Sequence, residues 1–288
     1  SPSIVLMRHA ERLDRSLESL GKDWIHSSPR PQDSPLSPSG LLQAQAAAQH
    51  LRMYDITTIL TSPMIRTVQT AHAIAEGLGL GPGSVCVEPG LVEEAKSFRG
   101  KTSDEPLPCW DPLVLSVDQL KEYSPFICDS YEPLYRVEHV RDDDAPNTVR
   151  EVHDTLTDPD EVTRDRCRVF IDRLLEKVNT CFNDSGDSCS GYTGVKTVLC
   201  VGHGASVGAC VAALERSLPD ELRIKGKRGV GSWARYVPYT AAVNNESSPQ
   251  GLVSLGDTPW YAPSGMWEVN SGILSQAIVD CAVDRGEN

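Results

Sequence analysis

Thr197-Val198-Leu199-Cys200-Val201-Gly202-His203-Gly204 is the stretch that decides the fold. Its first five residues are apolar or β-branched with no polar alternation, the pattern of a strand buried on both faces. A glycine, a histidine and a second glycine follow. Ala205 to Leu214 then reads as a helix. Strand, polar turn and helix in that order make the repeating unit of a parallel sheet.

The same unit recurs toward the N-terminus. Ile4-Val5-Leu6-Met7 is a short apolar strand that ends in Arg8-His9. Thr57-Thr58-Ile59-Leu60-Thr61 is a second, broken by Ser62-Pro63 and followed by a helix from Met64 to Glu76, expected to stop at Gly77. Val85-Cys86-Val87 is a third, followed by Glu88-Pro89-Gly90. Ser37 suits an N-cap and Pro38 the first helical position, ahead of a helix expected from about Leu41 to Met53. Residues 159–181 have helical spacing, with Val162, Val169, Phe170, Leu174, Leu175 and Val178 on one face. Residues 232–243 and 251–269 alternate as two C-terminal strands. The expected class is therefore α/β: three layers, with a mainly parallel central sheet and helices on both faces.

The chain has 288 residues, which a single large α/β domain over 1–288 accommodates. In this reading the domain is enlarged by an irregular, proline-bearing loop at 14–36 and an insertion at 97–158. Hydrophobic residues make up 40% and charged residues 23%, enough apolar content for a sizeable core. The net charge of −13 disfavours duplex nucleic acid and anionic membrane surfaces as partners. No apolar run approaches the roughly 18 residues of a membrane span. Ser1-Pro2-Ser3 leads straight into a strand, so no signal peptide is expected and a cytoplasmic location is. Nine cysteines without a CxxC disfavour a zinc ribbon or a thioredoxin-like site. Cys200 and Cys210 read as core residues, Cys181 and Cys189 flank a polar loop across which they could pair, and reduced thiols are expected overall.

Chemistry gathers where the strands end. In open α/β sheets, ligands bind beyond the carboxyl ends of the strands. Arg8, His9, Arg66 and His203 stand at or just after three such ends, and Arg12 lies slightly further on. Two histidines with three arginines suit a dianion: arginine binds phosphate oxygens in bidentate fashion and keeps its charge. Histidine serves as phosphate ligand or as nucleophile. His26, His50, His72, His139 and His153 lack such a context and read as surface or packing residues. Asp142-Asp143-Asp144 reads as a solvated loop. Trp24 and Trp110 pack the two irregular segments or wall the substrate entrance.

These segments together resemble the histidine phosphatase superfamily, branch 1, with the phosphoglycerate-mutase-like fold. The family's Arg-His-Gly stands as Arg8-His9-Ala10. Leu36-Ser37-Pro38-Ser39-Gly40-Leu41-Leu42-Gln43-Ala44 matches a second segment, and Ser62-Pro63-Met64-Ile65-Arg66-Thr67-Val68-Gln69-Thr70-Ala71 a third. Glu88-Pro89-Gly90-Leu91-Val92-Glu93 is similar to a fourth, and Val201-Gly202-His203-Gly204 to the last. Arg8-His9-x-Glu11-Arg12 with Asp14, Val87 to Leu91, and Tyr236-Val237-Pro238-Tyr239 narrow the resemblance to the Sts (suppressor of T-cell receptor signalling) phosphatase domains and the ecdysteroid-phosphate phosphatases.

The resemblance implies a metal-independent phosphomonoester hydrolase with no cofactor. His9 would carry a phosphohistidine and Glu93 would be the general acid, with Glu94 beside it as the other candidate. Arg8, Arg12, Arg66 and His203 would bind the phosphoryl oxygens. The implied partner is a phosphate-ester substrate, either a phosphotyrosine protein or a small or steroid phosphate ester, and a homodimer is compatible. A phosphoglycerate mutase is disfavoured, because Arg12 and Arg15 occupy its motif's Ser and Asn positions. A non-catalytic binding or scaffold member of the fold is the other alternative, to which Ala10 in place of glycine is the one pointer. If that position needs a positive φ, alanine there is strained.

Overall fold

The computed structural model describes residues 3–16, 23–24, 26–94, 115–135, 159–183, 197–214, 233–238, 261–262 and 265–270. Four strands lie parallel, in the order β3 (Val85–Val87), β2 (Ile56–Thr61), β4 (Thr197–Gly202), β1 (Ser3–Arg8). Leu6 pairs with Cys200 and Cys200 with Leu60, so the strand that closes the site segment is the one in the middle. Beyond β1 the sheet turns antiparallel through β5 (Trp233–Pro238), β7 (Gly265–Asn270) and β6 (Tyr261–Ala262). The expected strand at 251–269 is thus a short hairpin in its described part, and the edge is antiparallel where the alternating pattern was silent on direction.

Side chains of the parallel strands divide between two cores. Val5, Met7, Ile59, Val85, Leu199 and Val201 face α1 (Pro38–Leu51) and α2 (Ile65–Leu78). Ile4, Leu6, Leu60, Cys86, Val198 and Cys200 face α4 (Pro159–Asn183) and α5 (Gly204–Leu214). This is the expected three-layer arrangement, and each strand is apolar on both faces because each face is covered. The buried stripe of α4 runs through Thr163, Cys167, Phe170, Ile171, Leu174 and Val178, while Val169 is only half-buried.

Two helix boundaries differ from expectation for physical reasons. α1 starts at Pro38, because the Ser37 hydroxyl accepts the Gly40 N–H at 2.9 Å and Pro38 begins the first turn. α2 runs through Gly77 to Leu78 and is capped by Gly79 at φ 71°. Gly77 instead lies where a Cβ would sit 2.6 Å from the Ala48 Cβ, so its role is close contact between α1 and α2. Within the loop at 14–36 the structure adds a 3-10 turn, Leu13–Arg15, and Trp24 donates to the Pro31 carbonyl at 3.3 Å. Of the insertion at 97–158, the described part is residues 115–135. It holds the single-turn helix α3 (Val117–Leu120) and a bridge between Ile127 and Val85. Trp110, His139, His153, the Asp142–Asp144 run, Cys189 and the Cys181 side chain fall outside the described residues. Among the described residues, no helix is long and apolar enough to cross a membrane.

Candidate active site

The four parallel strands deliver the site in register. Arg8 is the last residue of β1, and His9 follows with its N–H bonded to the Gly202 carbonyl at 2.9 Å. His203 follows β4, so the two histidines sit side by side, their ring centroids 5.3 Å apart and nearly edge to face. Ser62 follows β2 and leads into Arg66 on the first turn of α2. Glu93 follows β3 through the 3-10 turn Pro89–Leu91. The structure therefore brings His9, His203, Arg66 and Glu93 together, with Arg8 and Arg12 close enough for their charges to act on His9.

His9 is buried, and its Nδ1–H donates to the Ala10 carbonyl at 2.7 Å. That bond sets the tautomer and leaves Nε2 with its lone pair. Burial, then the charge of Arg66, and then those of Arg8 and Arg12, push the imidazole pKa well below its usual value against the Ala10 bond. Ala10 is free of the strain its place in the motif suggested. Among the described residues Asp55 is the one non-glycine with positive φ, and the Ala10 N–H reaches the Thr70 hydroxyl at 3.2 Å.

Arg66 is fully buried. Its Nη1 donates to the Gln32 carbonyl at 3.2 Å and lies 3.9 Å from Asp33 Oδ1. Burial and the charge of Arg12 bring its pKa down to about 10. Arg12 is held in bidentate fashion by Asp14, at 2.8 and 2.7 Å. The Arg8 guanidinium passes over Gly204, where a Cβ would stand 3.4 Å from Cζ. Glu93 Oε2 lies 3.6 Å from His203 Nδ1, and burial raises the Glu93 carboxyl pKa against the pull of Arg66 and Arg12. The buried residue facing His203 is thus Glu93; Glu94 is more exposed and donates its N–H to Glu93 Oε1 at 3.1 Å.

Sequence reasoning missed the residues that hold these groups in place. Asp33 is buried, accepts the Ile65 N–H at 2.9 Å at the start of α2, and stands between Arg66 and Arg30. Ser62 Oγ lies 2.8 Å from His203 Nε2. Gln43 accepts the Glu11 N–H at 2.9 Å and Gln69 the Leu36 N–H at 2.8 Å, which ties the segment after His9 to the helices beside it. Arg166 on α4 donates to the Val92 carbonyl at 2.7 Å and so steadies the turn that carries Glu93. The serine and both glutamines lay within quoted motif segments, and that was their signal. Asp33 and Arg166 had none.

Residues 4–112 match the profile of the Histidine phosphatase superfamily (branch 1). Ubiquitin-associated and SH3 domain-containing protein A of Homo sapiens is 26% identical over 248 residues, which cover 76% of this chain and 32% of that protein. The mouse (Mus musculus) protein B of the same name is 24% identical over 307 residues, 95% of this chain and 41% of that protein. The chain thus spans well under half the length of these curated relatives. A shorter match, 46% identical over 91 residues, joins 31% of this chain to 37% of "Probable phosphoglycerate mutase GpmB" from Yersinia enterocolitica. Among solved structures, the ecdysone phosphate phosphatase of Bombix mori in complex with tungstate superposes with a TM-score of 0.51. It is 19% identical, with 91% of this chain and 97% of that one covered, a likeness of fold.

Proposed function

We propose that this chain is a phosphomonoester hydrolase acting through a phosphohistidine on His9. The observation that carries the reading is the state of that imidazole. Nδ1–H is spent on the Ala10 carbonyl, and burial and then the surrounding arginines disfavour protonation of Nε2, so a lone pair is held beside three guanidinium groups. In the proposed reaction Nε2 attacks phosphorus in line and the bond from phosphorus to the leaving oxygen breaks. Glu93, whose carboxyl pKa is raised by burial, gives its proton to that oxygen. The Glu93 carboxylate then takes a proton from water as the water attacks phosphorus, which releases phosphate and restores His9. Arg8, Arg12, Arg66 and His203 hold the phosphoryl oxygens and offset the charge that develops on them.

The substrate we propose is a phosphotyrosine protein or a small or steroid phosphate ester, with the chain folded as one domain in the cytoplasm. The motifs shared with the Sts and ecdysteroid-phosphate phosphatase domains support this. The short mutase match keeps 3-phosphoglycerate among the substrates to be tested. The test is steady-state hydrolysis of p-nitrophenyl phosphate, a phosphotyrosine peptide and 3-phosphoglycerate, with and without chelator, by the wild type and His9→Ala. Turnover of at least one ester, unaffected by chelator and lost in His9→Ala, supports the reading. Residual activity of more than about 1% in a folded His9→Ala protein overturns it, since loss of the nucleophile removes the covalent route altogether. Turnover of none of the three substrates by the wild type favours a non-catalytic role.

A further inference from the structure

We propose that Ser62 is a positioning residue that decides which ring nitrogen of His203 carries the proton. The inference rests on the proposed phosphate-binding role of His203 and goes beyond it. Ser62 Oγ and His203 Nε2 are 2.8 Å apart, and both residues are fully buried. A hydroxyl and an imidazole nitrogen at that distance allow two arrangements: Nε2–H donating to oxygen, or O–H donating to nitrogen.

The surroundings distinguish them. His203 Nδ1 is buried without a hydrogen-bond partner and lies 3.6 Å from Glu93 Oε2, on the side where the phosphoryl group would bind. If Nε2 held the proton, the lone pair of Nδ1 would face the oxygens of a bound phosphoryl dianion. If Ser62 donates to Nε2, Nδ1 carries the hydrogen and offers it to those same oxygens. Among the described residues, no second hydrogen-bond partner of the Ser62 hydroxyl competes; Thr67 Oγ1 takes the Ser62 carbonyl instead, at 2.7 Å.

The main chain that carries the ring is held on both sides. Its backbone N–H is held by Ser206 Oγ at 2.9 Å, and its carbonyl accepts the Val207 N–H at 2.9 Å in the first turn of α5. Burial and the charge of Arg66 keep the ring neutral, so it can donate toward phosphate only through the tautomer that Ser62 selects. The serine of the Ser62-Pro63 turn therefore does for His203 what the Ala10 carbonyl does for His9, with the opposite sign. Nε2 of His203 accepts a hydrogen bond so that Nδ1 carries the hydrogen and can donate, while Nδ1 of His9 donates one so that Nε2 keeps its lone pair for attack.

The test reads the tautomer directly. Long-range proton–nitrogen correlation spectra of 15N-histidine-labelled, ligand-free protein near pH 7 are expected to show His203 protonated at Nδ1. Ser62→Ala should shift it to a mixture, and Ser62→Thr, which keeps the hydroxyl, should restore it. Protonation at Nε2 in the wild type, or an unchanged tautomer in a folded Ser62→Ala protein, overturns the proposal whatever the activity. In parallel, inhibition by inorganic phosphate should weaken about 10- to 100-fold in Ser62→Ala, the cost typical of losing a histidine's orienting partner. Ser62→Thr should stay near wild type. A tautomer shift with unchanged phosphate inhibition would uphold the role of Ser62 in the ring and reject His203 as a phosphate donor, a failure of the functional reading alone.

Discussion

Glu88 and Glu93 stand on the same stretch after β3, both are buried, and their surroundings are opposite. Glu88 Oε1 accepts the N–H groups of Gly90 and Tyr135 at 2.9 and 3.1 Å. Its Oε2 accepts the Tyr131 hydroxyl and the Leu134 N–H, both at 2.7 Å. Burial raises its carboxyl pKa and the four donors resist the rise. Glu93 accepts one N–H from its neighbour, and its other oxygen looks across 3.6 Å at His203. A buried carboxylate whose lone pairs are all engaged ties chain segments together; one left under-satisfied beside a cationic pocket is stored for chemistry. The first fastens residues 131–135 to the start of the turn, and the second uses the turn so fixed.

Glu93→Gln breaks the contrast from its reactive side. Its kcat on phenyl phosphate, whose leaving group needs a proton, should fall about 100- to 1000-fold, within the range for loss of a general acid. The loss should be much smaller on p-nitrophenyl phosphate, and urea unfolding should change little. Equal losses on the two esters would remove Glu93 from proton transfer. Glu88→Gln attacks the other side. It sets an amide against donors and should cost about 3 kcal/mol in urea unfolding, with kcat of the folded fraction near wild type. A stable Glu88→Gln protein with a large kcat defect would merge the two roles.

Asp33→Asn lies between these cases, since Asp33 both caps α2 and faces Arg66. Its expected effect is a roughly 10-fold loss of kcat/KM, about 1.4 kcal/mol, with a small loss of stability. Unaltered kinetics would confine Asp33 to the cap. The smallest expected effect is the position of the pH profile. His9 has its pKa depressed, so it stays neutral, as the proposed nucleophile must, while pH falls through the 6.5 of a free imidazole. Glu93 has its pKa raised, so it keeps its proton as pH climbs past the usual carboxyl value of 4.5. The kcat profile on phenyl phosphate should hold its acid limb well below pH 6.5 and lose activity on the alkaline side as Glu93 ionises. An acid limb centred at 6.5 or above would contradict the buried state of His9.

The parallel part of the sheet was legible in the sequence because β1, β2, β3 and β4 are apolar on both faces and each ends in a polar break. The candidate site was legible in part because Arg8, His9 and His203 sit at those breaks. The antiparallel edge was less so, since alternation in residues 232–243 and 251–269 marks strands without marking their direction. Gly77 looked like a stop signal because a glycine near a helix end usually is one. Only the packing of α1 against α2 shows that it spares a clash, and that Gly79 takes the left-handed position. Asp33 escaped notice because its importance comes from a contact with Ile65 and Arg66 across about thirty residues, and a lone acid in a proline-bearing loop carries no periodicity.

The place of β4 between β2 and β1 has a consequence for how the molecule is made. During synthesis the first three strands emerge with a gap where the central strand belongs, and β1 and β2 each wait with an open edge. Closing that gap joins positions separated by roughly 190 residues, a contact of high sequence separation and therefore a slow one. Until then Arg8, His9, Arg66 and Glu93 share no pocket, and the exposed strand edges are a hazard for aggregation. A chain stopped before residue 197 would contain most of the reactive side chains and the 4–112 profile match, yet lack the strand that seats His203 against His9. Competence for the proposed phosphate chemistry should therefore arrive in a single late step, with the docking of β4.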